Sequence, residues 1–598
     1  MPNYKNPKYE QIESEERLRE VANKLAKQDT VAVDTEADKL DPYFANLIFI
    51  QIGTPEKAYI FNAFELDDFS PLKKVLERKK PLKILQNAKF DYKLLKVQAG
   101  LELENIYDTF LAERLITCGL QRGQSNLGAL AKKYLDLELD KEYDHYNWDR
   151  TVRTGNLKKK HFEYAALDVL TLFPIFRKQF QQLKKQDLME VAKLEFACVA
   201  PVAEMEVKGT PIDQKRWKKN IREIKEKRDE IHDKIQAELR PLYKTTQRDL
   251  FGNHVDVVNL NSPSQLIEAF AKVGIDIPST GEQVLKKIDH ALARMLLEYR
   301  GYEKLITAFG ENLLDHVNPK TGRLHPDYMQ IGADTGRFAC SNPNLQQIPT
   351  DSEFRSCFRV GEGRKLVTAD YSQAELRILA ELSKDPALVS AYKEGKDLHT
   401  YTASLMFGIP EDKVCHDIER FQAKSINFGL MYGRGVRSLA TQLEVSVEEG
   451  EELLQKYFKQ YKKVEKWLEK VAKQAIEKGY SETVIGRKRY HKKPDPDDPN
   501  YERAISAIKR KGKNTPIQGT SADMIKYAIV FVYRRLQEEG LNAFLVHTVH
   551  DEVVVETTEE DAERVKAVVK EEMERAGELM IKEVPMKADA MVSDIWEH

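Results

Sequence analysis

The sequence predicts a multidomain protein of α/β and α+β class, and three observations carry that expectation. First, a chain of 598 residues exceeds what a single hydrophobic core supports, so about three to five domains or subdomains are expected. Second, the stretch up to residue 185 alternates strand-like runs (TVAVDTE, LIFIQIG, AYIFNA, KILQNA) with helical segments, the pattern of an α/β domain. Third, a helical, charge-rich stretch from Leu188 to about Asp334 separates that domain from a region where strands return, from Arg337 to the end. Segments such as QKRWKKNIREIKEKRDEIHDKIQAELRPLY carry only a modest apolar stripe, which predicts a projecting arm rather than a compact core. In the last region two strand-like runs, around KLVTADYSQ and FLVHTVHDEVVVE, flank a long helical insertion.

Composition narrows the class. A formal net charge of −2 argues against a generic polyanion binder, but it averages over local patches such as GRKRYHKK and IKRKGKN between Ile485 and Asn514, basic enough to meet phosphates. The five cysteines (Cys118, Cys198, Cys340, Cys357, Cys415) are scattered and include no CxxC pair, which fits a reducing compartment and excludes a thiolate zinc site. No apolar leader and no membrane-length stretch is visible. The expectation is a soluble intracellular enzyme of cytoplasm or nucleoid (or of an organelle, had a targeting segment been removed), with no membrane partner.

The chemistry-bearing residues are carboxylates at strand ends. Asp34 and Glu36 lie two apart in a strand and share a face. Asp91 follows at a strand-to-helix junction, and Tyr164 and Asp168 stand i and i+4 on one helix face. Four carboxylates and a phenol can bind two metals and orient a water for phosphodiester hydrolysis. Farther on, Asp370 is released from a strand that becomes a helix, and His550, Asp551 and Glu552 sit at a hairpin tip. Carboxylates so placed suit hard divalent cations, which can clamp both oxygens of a phosphoryl transfer. Between them, Arg420, Lys424, Phe428 and Tyr432 recur every fourth residue. On an α-helix that spacing drifts about 40° per step, so two cations and two rings form one winding stripe suited to a nucleotide's phosphates and base.

The first set, with Asn87 in its NxxxD motif, resembles the DEDDy 3′–5′ exonucleases of ribonuclease H-like fold. The resemblance implies Asp34, Glu36, Asp91 and Asp168 as metal ligands and Tyr164 as the residue that positions the attacking water. Ala37 departs from it, where relatives often carry threonine. The motifs TADYSQAELR, RFQAKSINFGLMYG and VHDE resemble motifs A, B and C of family A DNA polymerases. TGRFACSNPNLQQIP, DLHTYTASLMFG and NTPIQGTSAD match further stretches in the same order.

That resemblance implies a right-hand polymerase domain over 186–598, after an exonuclease domain over 1–185. Its thumb would span about 186–334, its palm about 335–385 and 515–598, and its fingers about 386–514, with no 5′-nuclease domain. It implies two Mg²⁺ ions per active site (Mn²⁺ able to substitute), held in the palm by Asp370, the Tyr371 carbonyl and Asp551, with Glu552 in support. Tyr371, Gln373, Glu375, His399, Arg420, Lys424, Phe428 and Tyr432 would form the nucleotide site, Glu375 as the steric gate against a 2′-hydroxyl and Lys424 with a catalytic share. Arg337, Arg510, Asn514, Gln518 and His550 would contact DNA. The implied partners are primer–template DNA, dNTPs and a single-stranded 3′ end in the exonuclease site, bound by a monomer. Ala374 stands where the family usually has isoleucine, Phe421 replaces a second arginine, and Ala339 and Cys340 replace polar residues after TGR.

Overall fold

The structure, a computed structural model, describes residues 4, 6–120, 124–139, 157–243, 255–350, 352–431 and 435–597. The N-terminal sheet contains β1 (Tyr9–Ile12), β2 (Thr30–Ala37), β3 (Leu47–Gly53), β4 (Ala58–Asn62), β5 (Leu82–Leu85) and β6 (Ile106–Asp108), in the order β1-β4-β3-β2-β5-β6. β2 is antiparallel to β3 and parallel to β5, so it lies at the centre with its apolar residues Val31, Ala32 and Val33 fully buried. The 27-residue helix Lys159–Lys185 packs across this sheet. The apolar runs of β2 to β4, buried on both faces over most of their length, and the helix's apolar face close one core, from Ile12 through Phe173 to Ala203.

The next helix, Met189–Lys208, joins two cores. Val191, Ala192, Val199 and Ala203 belong to the first, while Leu194, Cys198, Val202 and Met205 belong to the second. A helix that is apolar on opposite faces is stable only when covered on both sides, which makes this one a shared wall. Beyond it the helix Gln214–Tyr243 buries Trp217, Ile221 and Ile224 in the second core, then extends outward. Its far end, with helices Pro263–Lys272 and Ala291–Phe309, closes a separate small core around Ile235, Leu239, Phe270 and Leu296, where the modest apolar stripe predicts no compact core.

The rest of the chain adds the hairpin of β7 (Asp327–Met329) and β8 (Ala339–Ser341), then β9 (Arg364–Tyr371). A second hairpin pairs β10 (Tyr480–Glu482) with β11 (Lys488–Tyr490), and β12 (Ala543–Val549), β13 (Glu552–Thr558) and β14 (Ala588–Ser593) follow. An antiparallel sheet of order β12-β13-β9-β14 lies at the base, backed by the helices Tyr501–Glu538 and Ala562–Met580. The helices from Pro386 to Lys478 form a lobe on it. Among the described residues no helix is long and apolar enough to cross a membrane.

The first part of the basic run expected to meet phosphates, Arg487 to Arg489, is spent on packing, while Lys492, Lys493, Lys509, Arg510 and Lys511 remain exposed. Arg487 is fully buried, pairing with Glu195 at 2.5 Å and Asp523 at 2.7 Å, and Lys526 also bonds Glu195. Lys488 donates to the Gln186 carbonyl at 2.6 Å, Arg489 pairs with Asp334 at 3.0 Å, and the Tyr490 amide donates to Cys118 O at 2.9 Å. Tyr490 thus fastens the β10–β11 hairpin to the first domain at Cys118, while Arg487 and Arg489 hold it to Glu195, Asp523 and Asp334. The cationic character was real; its partners are carboxylates and carbonyls remote in sequence.

Candidate active sites

In the first domain β2 points Asp34 and Glu36 to one side, and the long helix Lys159–Lys185 brings Asp168 to them. Oxygens of these three carboxylates lie within 4.8 Å of one another. Tyr164 sits one turn before Asp168 on the same helix and is half-buried. Asp91 approaches on the helix Ala88–Leu94, where its carboxyl accepts from Thr35 Oγ1 at 2.7 Å. Burial pushes Asp34 up to about 7, and burial together with the charge of Asp34 raises Asp91. Carboxylates crowded this way hold protons too tightly for an ordinary surface, a cost that a hard divalent cation would relieve.

Asn87, the supporting residue of that motif, has a left-handed φ of 59° and starts the Asp91 helix. Its amide and that of Ala88 donate to Asp108 at 3.0 and 2.9 Å. Asp108 also caps the helix Thr109–Ile116, accepting from Phe110 N at 2.8 Å. It therefore sets the angle at which Asp91 is presented, a role that sequence reading missed; its only local sign is a cap-like YDTF. A cleft of about 950 Å³ passes Asn87 and Phe90, then Leu40 and Tyr43, and ends against Asp327 and Met329 of the β7 strand.

The second site lies at the end of the basal sheet. β9 stops at Tyr371, and β13 begins at Glu552 in register with Asp370, so the β12–β13 hairpin tip falls beside it. His550, at φ 54°, turns the tip. Tyr371 N donates to Asp551 O at 3.4 Å, and the Asp370 and Asp551 side chains are within hydrogen-bonding reach of each other. Burial raises Asp551, with Arg337 and His550 opposing. The Tyr371 ring turns away into the core, its hydroxyl donating to Met573 O at 2.6 Å, which leaves the main chain at the site. Glu552 is buried, with one oxygen held by Arg355 at 3.0 Å and the other by Trp596 Nε1. Its carboxylate thus braces the hairpin from behind. Arg355 and Trp596, stacked at 4.2 Å, carry no local motif that would have revealed them.

Gln373, at φ 56°, begins the helix Ala374–Ser383 and accepts from the Tyr392 hydroxyl at 3.0 Å. Ala374 is buried. Glu375 forms an ion pair with Arg337 while its second oxygen has no hydrogen-bond partner. Burial raises the Glu375 carboxyl and Arg337 restrains it. Two residues expected to meet different parts of a substrate are thus joined to each other in the free protein.

The stripe differs from its expected form at one end. Lys424 and Phe428 lie on the α-helix Phe421–Met431, but Arg420 closes a π-helical turn, His416–Arg420, so the four-residue spacing does not hold there as an α-helical register. Arg420 is paired with Asp397 at 2.8 Å. Against the push of burial, Arg420 and Thr400 hold Asp397 down to about 2. Lys424 is exposed, Phe428 is half-buried and 5.6 Å from the His399 ring, and His399 is buried. Tyr432 lies outside the described residues. Arg510, Asn514 and Gln518 follow one face of the helix Tyr501–Glu538, grading from exposed to buried.

A strand-borne carboxylate cluster in one domain, and paired aspartates under a cationic helical lobe in another, define an enzyme with two separate phosphate-chemistry centres. Comparison with known proteins gives that class its family. The profile of DNA polymerase family A matches residues 225–598, and that of a 3′–5′ exonuclease matches residues 9–184. The chain is 32% identical over 623 residues to DNA polymerase I of Aquifex aeolicus, covering 98% of this chain and 99% of that protein. It is 32% identical to DNA polymerase I of Borreliella burgdorferi, of whose length it spans 65%. Among solved structures it is similar to the POL domain of Pol1 from M. smegmatis in complex with DNA primer-template and dNTP, with a TM-score of 0.83, 27% identity, and coverage of 98% of this chain and 99% of that one. The chain belongs to DNA polymerase family A and carries a 3′–5′ exonuclease domain.

Proposed function

We propose that this enzyme adds dNTPs to a primer 3′-hydroxyl under template direction, by two-metal phosphoryl transfer, and that its first domain proofreads the product, as used in DNA replication and repair. The observation that carries the polymerase half is the juxtaposition of Asp370 and Asp551 beside the Arg337–Glu375 pair. Asp370, Asp551 and the Tyr371 carbonyl would hold Mg²⁺, which when bound lowers the barrier to attack by the 3′-oxygen and stabilises the departing pyrophosphate. His399, Arg420 and Lys424 receive the triphosphate, Phe428 and Tyr432 shape the base pocket, and Gln373 holds the start of the Glu375 helix. Glu375 excludes a ribose 2′-hydroxyl, and Ala374 behind it leaves the sugar pocket roomier. Arg337, Arg510, Asn514, Gln518 and His550 follow the primer–template. The basal sheet then serves as palm, the lobe as fingers and the arm as thumb, in a monomer.

In the exonuclease site Asp34, Glu36, Asp91 and Asp168 are the proposed Mg²⁺ ligands, and Tyr164 orients the water. The cleft of about 950 Å³ past Asn87 and Phe90 is the proposed course of the single-stranded 3′ end. The test is a double variant, Asp34→Ala with Glu36→Ala, assayed on single-stranded DNA and on a primer with a mismatched end. Loss of degradation with extension of matched primers retained is the expected result. Metal-dependent degradation by the purified double variant would overturn the assignment.

A further inference from the structure

Asn427 and His399 meet in the interior of the helical lobe. Asn427 is wholly buried on the helix Phe421–Met431. Its Nδ2 donates to His399 Nδ1 at 3.1 Å and to Thr402 Oγ1 at 3.4 Å, both on the facing helix Leu398–Phe407. Thr402 Oγ1 lies 2.9 Å from the Tyr461 hydroxyl, so the amide is tied into a buried polar chain. With its nitrogen turned to the ring, the Asn427 amide only donates, so the ring nitrogen accepts, and Asn427 Oδ1 is left buried without a partner. A neutral imidazole that accepts at Nδ1 carries its proton on Nε2.

The charge of the ring is also set by its surroundings. Burial lowers His399 to about 4, with Arg420 and Lys424 acting in the same direction and Asp397 against them. At neutral pH the ring is therefore an uncharged donor. The other tautomer would turn a bare lone pair toward whatever anion approaches Nε2.

We infer that Asn427 is a positioning residue that holds His399 in its Nε2–H tautomer, so that a neutral imidazole can donate to phosphate oxygens of the incoming nucleotide. The nucleotide half of this inference rests on the proposed role of His399; the tautomer half does not. Asn427 is thereby distinguished from its helix neighbours Lys424 and Phe428, which would touch the nucleotide themselves.

The tautomer is read from ¹⁵N-histidine spectra of the full chain at about pH 7.5, with His399→Gln assigning the resonances. Nδ1 in the unprotonated range and Nε2 in the protonated range is expected; the reverse assignment or a charged ring overturns the inference. The functional arm uses Asn427→Asp, which places a carboxylate acceptor at Nδ1. The ring in that variant is charged at low pH and becomes the Nδ1–H tautomer as pH rises. The variant's KM for dNTP relative to wild type should therefore climb about tenfold from roughly pH 6.5 to roughly pH 9. A ratio constant with pH overturns the positioning role, because a merely structural defect raises KM equally throughout. Single-strand degradation by the same preparation reports that the chain is folded. His399→Ala separates the two halves: an unchanged KM for dNTP would refute the nucleotide contact and leave the spectroscopic result standing.

Discussion

Replacing Asp34 by asparagine should stabilise the metal-free protein at alkaline pH, although it removes a proposed metal ligand. Burial lifts the Asp34 carboxyl from an ordinary 3.8 to about 7. A carboxyl with a higher pKa in the folded state binds more protons when folded, so stability falls as pH rises between those two values. The penalty is absent below about pH 4 and complete above about pH 7. At about 1.4 kcal/mol per unit, a shift of about three units sets a ceiling near 4 kcal/mol. Asp34 is only partly buried, and solvent screening brings the expected value to about 2 kcal/mol. Asparagine keeps the shape and never ionises. For a domain of this size the gain corresponds to a rise in Tm of about 4–8 °C. Scanning calorimetry in EDTA, at about pH 5 and about pH 8.5, reads the exonuclease-domain transition at both ends of the window. The gain should appear at the higher pH only, and added Mg²⁺ should stabilise the wild type more than the variant. A variant no more stable than wild type at the higher pH, or equally stabilised at both, would contradict a raised Asp34 carboxyl.

Two further outcomes follow from ion pairs in the structure. Arg487→Met leaves Glu195 with Lys526 but strips Asp523 of its guanidinium partner in a fully buried setting. The variant should lose about 3–5 kcal/mol by urea unfolding, and adding Asp523→Leu should recover much of it; a loss under about 1 kcal/mol would contradict the packing role given to this cluster. Asp397→Asn keeps a side-chain oxygen to cap the helix at Leu398 but removes the charge that orients Arg420. KM for dNTP should rise about five- to tenfold with a smaller change in kcat, the worth of one charge-assisted hydrogen bond. A lower KM would mean that Asp397 competes with the nucleotide rather than orienting its ligand.

Much of the fold and the outline of both sites could be read from local pattern. Short apolar runs rich in β-branched and aromatic residues marked β2, β3, β4 and β13, and the carboxylates interrupting them or ending them stood out because strands seldom carry such residues inward. Asp34 with Glu36, and Tyr164 with Asp168, were placed on common faces by periodicity alone, and the structure keeps both pairings in one strand and one helix. What escaped reading depends on partners far along the chain. The charges in GRKRYHKK read as a phosphate-binding surface, yet Arg487 meets Glu195, 292 residues away. Arg337 and Glu375 are 38 residues apart and each was given a separate partner. The π-helical turn before Phe421 carries no mark in the residue spacing. Asp108, Asp397 and Asn427 are not singled out by the sequence, because their roles lie in which neighbour they hold.

Two carboxylate sites in one chain are proposed to do opposite things to the same primer end. Asp551→Ala tests it most directly when dNTP incorporation and 3′ degradation are measured on one preparation with Mg²⁺. Primer extension should be abolished while single-stranded DNA is degraded at the wild-type rate. Extension at a wild-type rate by that variant, or loss of both activities in a folded chain, would contradict the separation of sites on which the account rests.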